Sequence, residues 1–267
     1  MFATAQAAAF DDVRAAVFAK LPMSDEPTRH LEGAGTTRVA RVRAHNEDAW
    51  MASPSAGLFA VADGMGGHAA GEVASALCIK ALARLAEQPV RRTGQARALR
   101  GALERAHIDI LAEGHRDPDK LGMGTTAAAL WLDGPRAVVA HVGDSRVYRL
   151  RDGMLDRITL DHSLLGDAVR AGWITPEQAD RQPPTCVITR TLGGMETPEV
   201  EPGATAVQVG DRFLLCTDGL TDLVPDMQIQ RIMNRADSPA EATRQLTLAA
   251  LDAGGLDNIT AVVVQAG

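Results

Sequence analysis

Aromatic residues are scarce in this chain, with five Phe, three Trp and one Tyr among 267 residues. A core of any size must therefore come from Ala, Val, Leu and Ile. Only three cysteines are present, Cys78, Cys186 and Cys216. Their odd number and wide spacing exclude a zinc-ligand set and argue for unpaired thiols in a reducing, cytoplasmic setting. No apolar run reaches bilayer length, and no basic-then-apolar leader opens the chain, so neither a membrane span nor secretion is expected. Positive charge is not in surplus either. With 27 basic against 34 acidic residues and a net charge of -7, the chain lacks the basic surface that nucleic-acid binding requires. There is no Gly-x-Gly-x-x-Gly opening a helix and no Walker loop.

What the sequence does contain is a clustered, rather than alternating, order of strands and helices. Residues 1–33 read as an extension, with Phe10, Val13, Val17 and Leu21 at helical spacing and Leu21-Pro22 as a stop. From residue 34 to 267 a single catalytic-size domain follows. Strands are expected over 36–42, 57–62, 125–132, 136–142, 146–151, 154–158, 206–209, 212–217 and 259–265. Helices are expected over 68–85, 95–113, 225–234 and 239–252, the last with Ser238 as N-cap. Residues 161–187, rich in Pro, Gly and polar side chains, read as an inserted flap with two short helices. Grouped strands with helix pairs between them predict an α+β fold of antiparallel sheets covered by helices.

The chemistry lies in acids at strand ends. Leu58-Phe59-Ala60-Val61-Ala62 runs into Asp63-Gly64, and Phe213-Leu214-Leu215-Cys216-Thr217 runs into Asp218-Gly219. Asp144 follows a strand directly, Asp257 precedes the last one, and Glu47-Asp48 sits in Arg43-Ala44-His45-Asn46-Glu47-Asp48. One Asp-Gly after a strand is usually a turn; two such units beside further carboxylates are not so easily dismissed. Carboxylates that converge repel one another, by roughly 4 kcal/mol per pair at 4 Å with an effective dielectric near 20. A cation removes that cost, and all-oxygen ligands select Mg²⁺ or Mn²⁺ over zinc. Paired cations suit phosphoryl transfer to water, because they activate a bridging water and clamp the phosphoryl oxygens. Arg43 is the candidate guanidinium for the phosphate, its alternative being a surface arginine paired with Glu47. Asp144 has an alternative as well, a hairpin turn with a salt bridge to Arg146. Cys216, within a strand, reads as a small buried apolar residue.

In order along the chain stand Arg43-x-x-Asn46-Glu47-Asp48, Asp63-Gly64-Met65-Gly66-Gly67-His68 with Gly71-Glu72, and Gly124-Thr125-Thr126. Gly143-Asp144-Ser145-Arg146-x-Tyr148, Asp161-His162-Ser163, Thr217-Asp218-Gly219-Leu220 and Asp257-Asn258-Ile259-Thr260 follow. Taken together they resemble the bacterial type 2C metal-dependent Ser/Thr protein phosphatases. The resemblance covers about residues 34–266 and implies a central β-sandwich of two antiparallel sheets flanked by helix pairs. It implies hydrolysis of phosphoserine and phosphothreonine on proteins by a metal-bridged water, opposing a Ser/Thr kinase. Arg43, Asp63 and Asp218 would carry catalysis, with Arg43 on the substrate phosphate. Asp63 would bridge two Mn²⁺ or Mg²⁺ ions, the Gly64 carbonyl would join the second, and Asp218 and Asp257 would hold the first. Glu47 and Asp48 would act largely through waters, and Asp144 with Asp218 would form a weaker third site. Phosphorylated proteins and a cognate kinase are the implied partners of a monomeric enzyme. One departure from the animal members is Met65, which stands where they carry a histidine proposed as general acid. Neither His68 nor His162 inherits that role; a metal-bound water would serve instead. Three other readings are a catalytically weak member that binds phosphoproteins, a phosphatase of a partner-switching regulator, and a metal-dependent nuclease. The last is disfavoured by the acidic charge.

Overall fold

The structure, a computed structural model, describes residues 30–66, 70–179, 181–182, 187–194, 196–200 and 202–267. The helix expected within residues 1–29, together with His68 and Cys186, lies outside them.

Strands β1 (Leu31–Arg38), β2 (Asp48–Ser53) and β3 (Leu58–Met65) lead into helices α1 (Gly71–Ala86) and α2 (Gln95–Arg116). The short β4 (Gly124–Thr125) precedes β5 (Ala127–Asp133), β6 (Arg136–Val142), β7 (Arg146–Arg151) and β8 (Met154–Arg157). Two short helices follow, α3 (Leu164–Arg170) and α4 (Pro176–Ala179), in the segment expected as a flap. The chain closes with β9 (Gly203–Ala206), β10 (Arg212–Cys216), α5 (Asp218–Thr221), α6 (Asp226–Arg235), α7 (Pro239–Asp252) and β11 (Ile259–Ala266).

All pairings are antiparallel. One sheet runs β1-β11-β10-β7-β8; the other runs β2-β3-β5-β6-β9, with β4 on β3. Side chains alternate across each strand, and the buried strands show it. Phe59, Val61, Phe213 and Leu215 fill the space between the sheets. Leu58 and Ala60 instead pack under Leu82, Leu99 and Leu103 of α1 and α2, while Leu214 and Cys216 pack under Met233 and Leu246 of α6 and α7. The result is the four-layer helix–sheet–sheet–helix arrangement expected. Because both faces of β3 and β10 are covered, each reads as an unbroken apolar run.

Several boundaries differ from the sequence-based expectation. Strand β1 begins at Leu31, so residues 31–33, assigned to the extension, are strand; it ends at Arg38 rather than at 42. Its glycines disguised it. A Cβ on Gly35 would lie 2.3 Å from Trp50 Cε3, and one on Gly33 would lie 2.5 Å from Phe59 Cε1. The bare backbone there admits aromatic rings from the facing sheet. Strand β2 was not expected at all, and β9 lies at 203–206 instead of 206–209. In the β7–β8 hairpin, Asp152 and Gly153 both have positive φ, 50° and 80°, as a tight two-residue turn demands. Ser238 caps α7 as expected, accepting a hydrogen bond from the Glu241 amide at 3.2 Å. No helix among the described residues is long and apolar enough to cross a membrane.

Candidate active site

Antiparallel order brings the starts and ends of neighbouring strands to one edge of the sandwich, and the expected site residues gather there. Asp48 opens β2 and sits directly opposite Asp63 near the end of β3. Asp144 occupies the β6–β7 turn, Asp218 opens α5 just after β10, and Asp257 lies two residues before the start of β11. Arg43 and Glu47 lie in the β1–β2 loop. Asp63 faces the charges of Asp48, Asp218 and Asp144, and Asp218 faces Asp257. Arg43 faces Asp257, Glu47 and Asp63. All seven side chains therefore share one electrostatic neighbourhood.

Burial and mutual repulsion raise the acids. Loss of water, with Asp218 and Asp257 nearby, pushes the Asp48 carboxyl to about 7, although hydroxyl donors from Thr260 and Thr217 oppose the shift. Asp144 is raised to about 7, by burial and by Asp218. Asp218 is raised to about 6, by burial and by Asp222. Asp63 is driven well above the ordinary carboxylate range by burial, Asp48 and Asp218. Glu47 is raised too, by burial and by Glu72 of α1. Charges packed this way accept protons or cations.

Three buried carboxylate oxygens, Oδ1 of Asp48, Asp144 and Asp218, have no hydrogen-bond partner. An unpaired buried acceptor is costly, so these atoms need a ligand that the protein itself does not supply. Among the described residues, no three Asp, Glu, His or Cys side chains stand in a ready-made ligating arrangement. The acids lean instead on each other and on Arg43. The donor set at the cluster is oxygen alone, which fits a hard divalent cation.

Two local pairings differ from those weighed in the sequence. Arg43 Nη2 bonds Asp257 Oδ2 at 2.6 Å, so its partner is Asp257 rather than Glu47. Arg146 does not close a turn on Asp144. It donates to Asp161 at 2.8 Å, and Arg157 pairs with the same carboxylate. The backbone at Gly64 is crowded. A Cβ there would meet the Gly71 carbonyl oxygen at 2.1 Å and that of Glu47 at 2.5 Å, so only glycine lets β3, the β1–β2 loop and α1 meet. His162 braces the base of the flap segment: its amide donates to the Gly143 carbonyl at 2.9 Å and its Nδ1 accepts from the Gly143 amide at 3.1 Å. It also stacks on His141 with ring centroids 4.5 Å apart. Cys216 is fully buried, with burial pushing its thiol up to about 12, as befits a core residue.

The hydroxyls and the amide beneath the acids were not among the expected site residues. Thr126 Oγ1 receives the Asp63 amide at 3.1 Å and bonds Ser145 Oγ at 2.7 Å. Thr125 Oγ1 donates to the Asp63 carbonyl at 2.8 Å. Asn258 Oδ1 accepts from the Glu47 amide at 2.9 Å. Their signal lay in the motifs: Ser145 and Asn258 each directly follow an acid, and Thr125 and Thr126 stand in Gly124-Thr125-Thr126.

Residues 35–251 match the family model described as protein phosphatase 2C. The serine/threonine protein phosphatase PstP of Mycobacterium tuberculosis is 45% identical over 224 residues, covering 83% of this chain and 42% of that protein. This chain thus spans less than half the length of that relative. The serine/threonine phosphatase stp of Listeria monocytogenes is 33% identical over 235 residues, 86% of this chain and 93% of that one. A crystal structure of M. tuberculosis PstP/Ppp superposes with TM-score 0.81 at 42% identity, covering 88% of this chain and 98% of that chain. A structure of the PstP catalytic domain in complex with two manganese ions gives TM-score 0.79 at 41% identity, covering 88% and 97%. With the family model spanning residues 35–251 and the superpositions covering 88% of its length, this chain belongs to the protein phosphatase 2C family.

Proposed function

We propose that this chain hydrolyses phosphoserine and phosphothreonine on proteins in a reaction that needs Mn²⁺ or Mg²⁺, opposing a Ser/Thr kinase. The observation that carries this reading is the set of partnerless buried oxygens on Asp48, Asp144 and Asp218 around Asp63. Asp63, Asp218, Asp257 and the Gly64 carbonyl are the groups that would hold two cations, with Glu47 and Asp48 reaching them through water. Asp144 with Asp218 would hold a weaker third. Bound there, the cations supply Lewis-acid neutralisation of the phosphoryl oxygens and lower the pKa of a water enough for attack at neutral pH.

The chain's own groups do the rest. Arg43, half-exposed at the mouth of the cluster, exchanges its carboxylate partner Asp257 for the non-bridging oxygens of the phosphate. Bidentate contact from its planar guanidinium orients the monoester. The backbone at Gly64, where a Cβ would press on the Gly71 and Glu47 carbonyls, is the place from which a carbonyl would join the cations. Buried, unpaired Cys78 and Cys216 suit a reducing cytoplasm. The test is hydrolysis of a phosphothreonine peptide by the purified chain. Turnover with added Mn²⁺ that stops in excess EDTA is expected; full turnover in EDTA would refute the reading.

A further inference from the structure

Asp48 is a buried acid whose side-chain donors come from the opposite sheet. Its Oδ2 receives Thr260 Oγ1 at 2.6 Å and Thr217 Oγ1 at 3.0 Å. Thr260 lies on β11 and Thr217 directly follows β10, both in the first sheet, whereas Asp48 opens β2 of the second. Both threonines are fully buried. With the Thr260 proton committed to Asp48, the 2.7 Å contact between Thr260 Oγ1 and Thr37 Oγ1 must be donated by Thr37. Thr37 in turn accepts from Asn46 Nδ2 at 2.8 Å, and Asn46 Oδ1 accepts the Asp48 amide at 3.1 Å. Thr217 Oγ1 also accepts the Thr260 amide at 3.1 Å. The ring is closed, and each hydroxyl proton has one destination.

We propose that Thr260 and Thr217, backed by Thr37 and Asn46, are positioning residues that set the cation affinity of the site. They saturate Oδ2 of Asp48 and so leave Oδ1, the atom without a partner, as its free acceptor. They also tie the carboxylates of one sheet, Asp48 and Asp63, to those carried by the other, Asp218 and Asp257. Donors behind a ligand shell commonly set metal affinity over about 10- to 100-fold. This inference rests on the proposed metal dependence, and its test separates the two.

The test is calorimetric titration of Mn²⁺ into the purified metal-free chain and its variants, with the metal-free melting temperature recorded for each. Thr260→Val keeps the shape and deletes the hydroxyl; its Mn²⁺ Kd should rise at least tenfold. Thr260→Ser restores the donor and should stay within about threefold of wild type. Should Thr260→Val not fold, Thr217→Val against Thr217→Ser carries the same comparison. An unchanged Kd in the valine variant would overturn the proposal. So would a serine variant as weak as the valine one, since the methyl group and not the hydroxyl would then matter. Wild type that binds no Mn²⁺ would instead bring down the functional reading beneath it.

Discussion

At the scale of single residues, Arg43 and Asp257 hold each other at 2.6 Å with both side chains partly exposed. An ion pair in that setting is worth little, at most about 1 kcal/mol, so it yields readily to a phosphate or a cation. Arg43→Ala should therefore leave the Mn²⁺ Kd within about threefold of wild type. It should cut kcat/KM on a phosphopeptide by about 10- to 100-fold, the worth of a charge-assisted hydrogen bond of about 1.5–3 kcal/mol. Calorimetry beside steady-state kinetics checks both, and an unchanged kcat/KM would make Arg43 an ordinary surface residue. The acids give a second prediction. Asp48 and Asp144, raised to about 7, and Asp218, raised to about 6, bind protons in the folded state that the unfolded chain releases. Their stabilising contribution is complete below the ordinary carboxylate pKa and is lost as pH rises through 6 to 7. Asp161 acts in the opposite sense. Burial pushes it up, but Arg146 and Arg157 hold it below its ordinary value, so its contribution is lost only in stronger acid. The metal-free protein should thus melt higher at pH 5 than at pH 8. A melting temperature flat or rising over that range would show that the acids are not crowded as described.

The strand-end acids were legible in the sequence because each ends or opens an apolar run. The hydroxyls that hold them were not, because a threonine on a buried strand looks like any β-branched residue until its partner is known. Thr260 shows this: its partner Asp48 lies 212 positions away.

At the scale of elements, strands buried on both faces were readable from apolar runs; β6, β7 and the α7 helix fall where expected. Strands β1 and β2 were harder, and the reason is physical. In Leu31-Glu32-Gly33-Ala34-Gly35 the glycines make room for Phe59 and Trp50, so the strand lacks the β-branched residues that advertise one. Asp48-Ala49-Trp50-Met51-Ala52-Ser53 opens on an acid and ends on a serine, leaving too short an apolar pattern. The junction of β3 with α1 makes a separate prediction. Because a Cβ on Gly64 would press on two backbone carbonyls, neighbouring side chains cannot relieve it by changing rotamer. Gly64→Ala should cost about 1–3 kcal/mol and lower the metal-free melting temperature by several degrees. Chemical denaturation measures this directly; wild-type stability would mean that β3 and α1 can separate freely.

At the scale of the whole molecule, two antiparallel sheets divide the acids. One sheet supplies Asp48 and Asp63, the other Asp218 and Asp257 nearby, with Asp144 in the turn that joins β6 of one to β7 of the other. Folding closes the sandwich by burying Phe59, Phe213 and their neighbours, and in doing so presses like charges together at its edge. Protons relieve part of that repulsion in the metal-free protein, and cations bound only by the folded state would relieve it more. A hundredfold excess over Kd adds about 2.7 kcal/mol, which for a domain of this size corresponds to about 5–10 °C. The most direct measurement is a thermal-shift comparison of wild type and Asp63→Asn, each in EDTA and in millimolar Mn²⁺. Asp63→Asn removes one charge from the centre of the cluster, so in EDTA it should melt no lower than wild type, while the Mn²⁺-induced rise should largely vanish. An equal Mn²⁺-induced rise in both proteins would place the cations elsewhere and contradict the account.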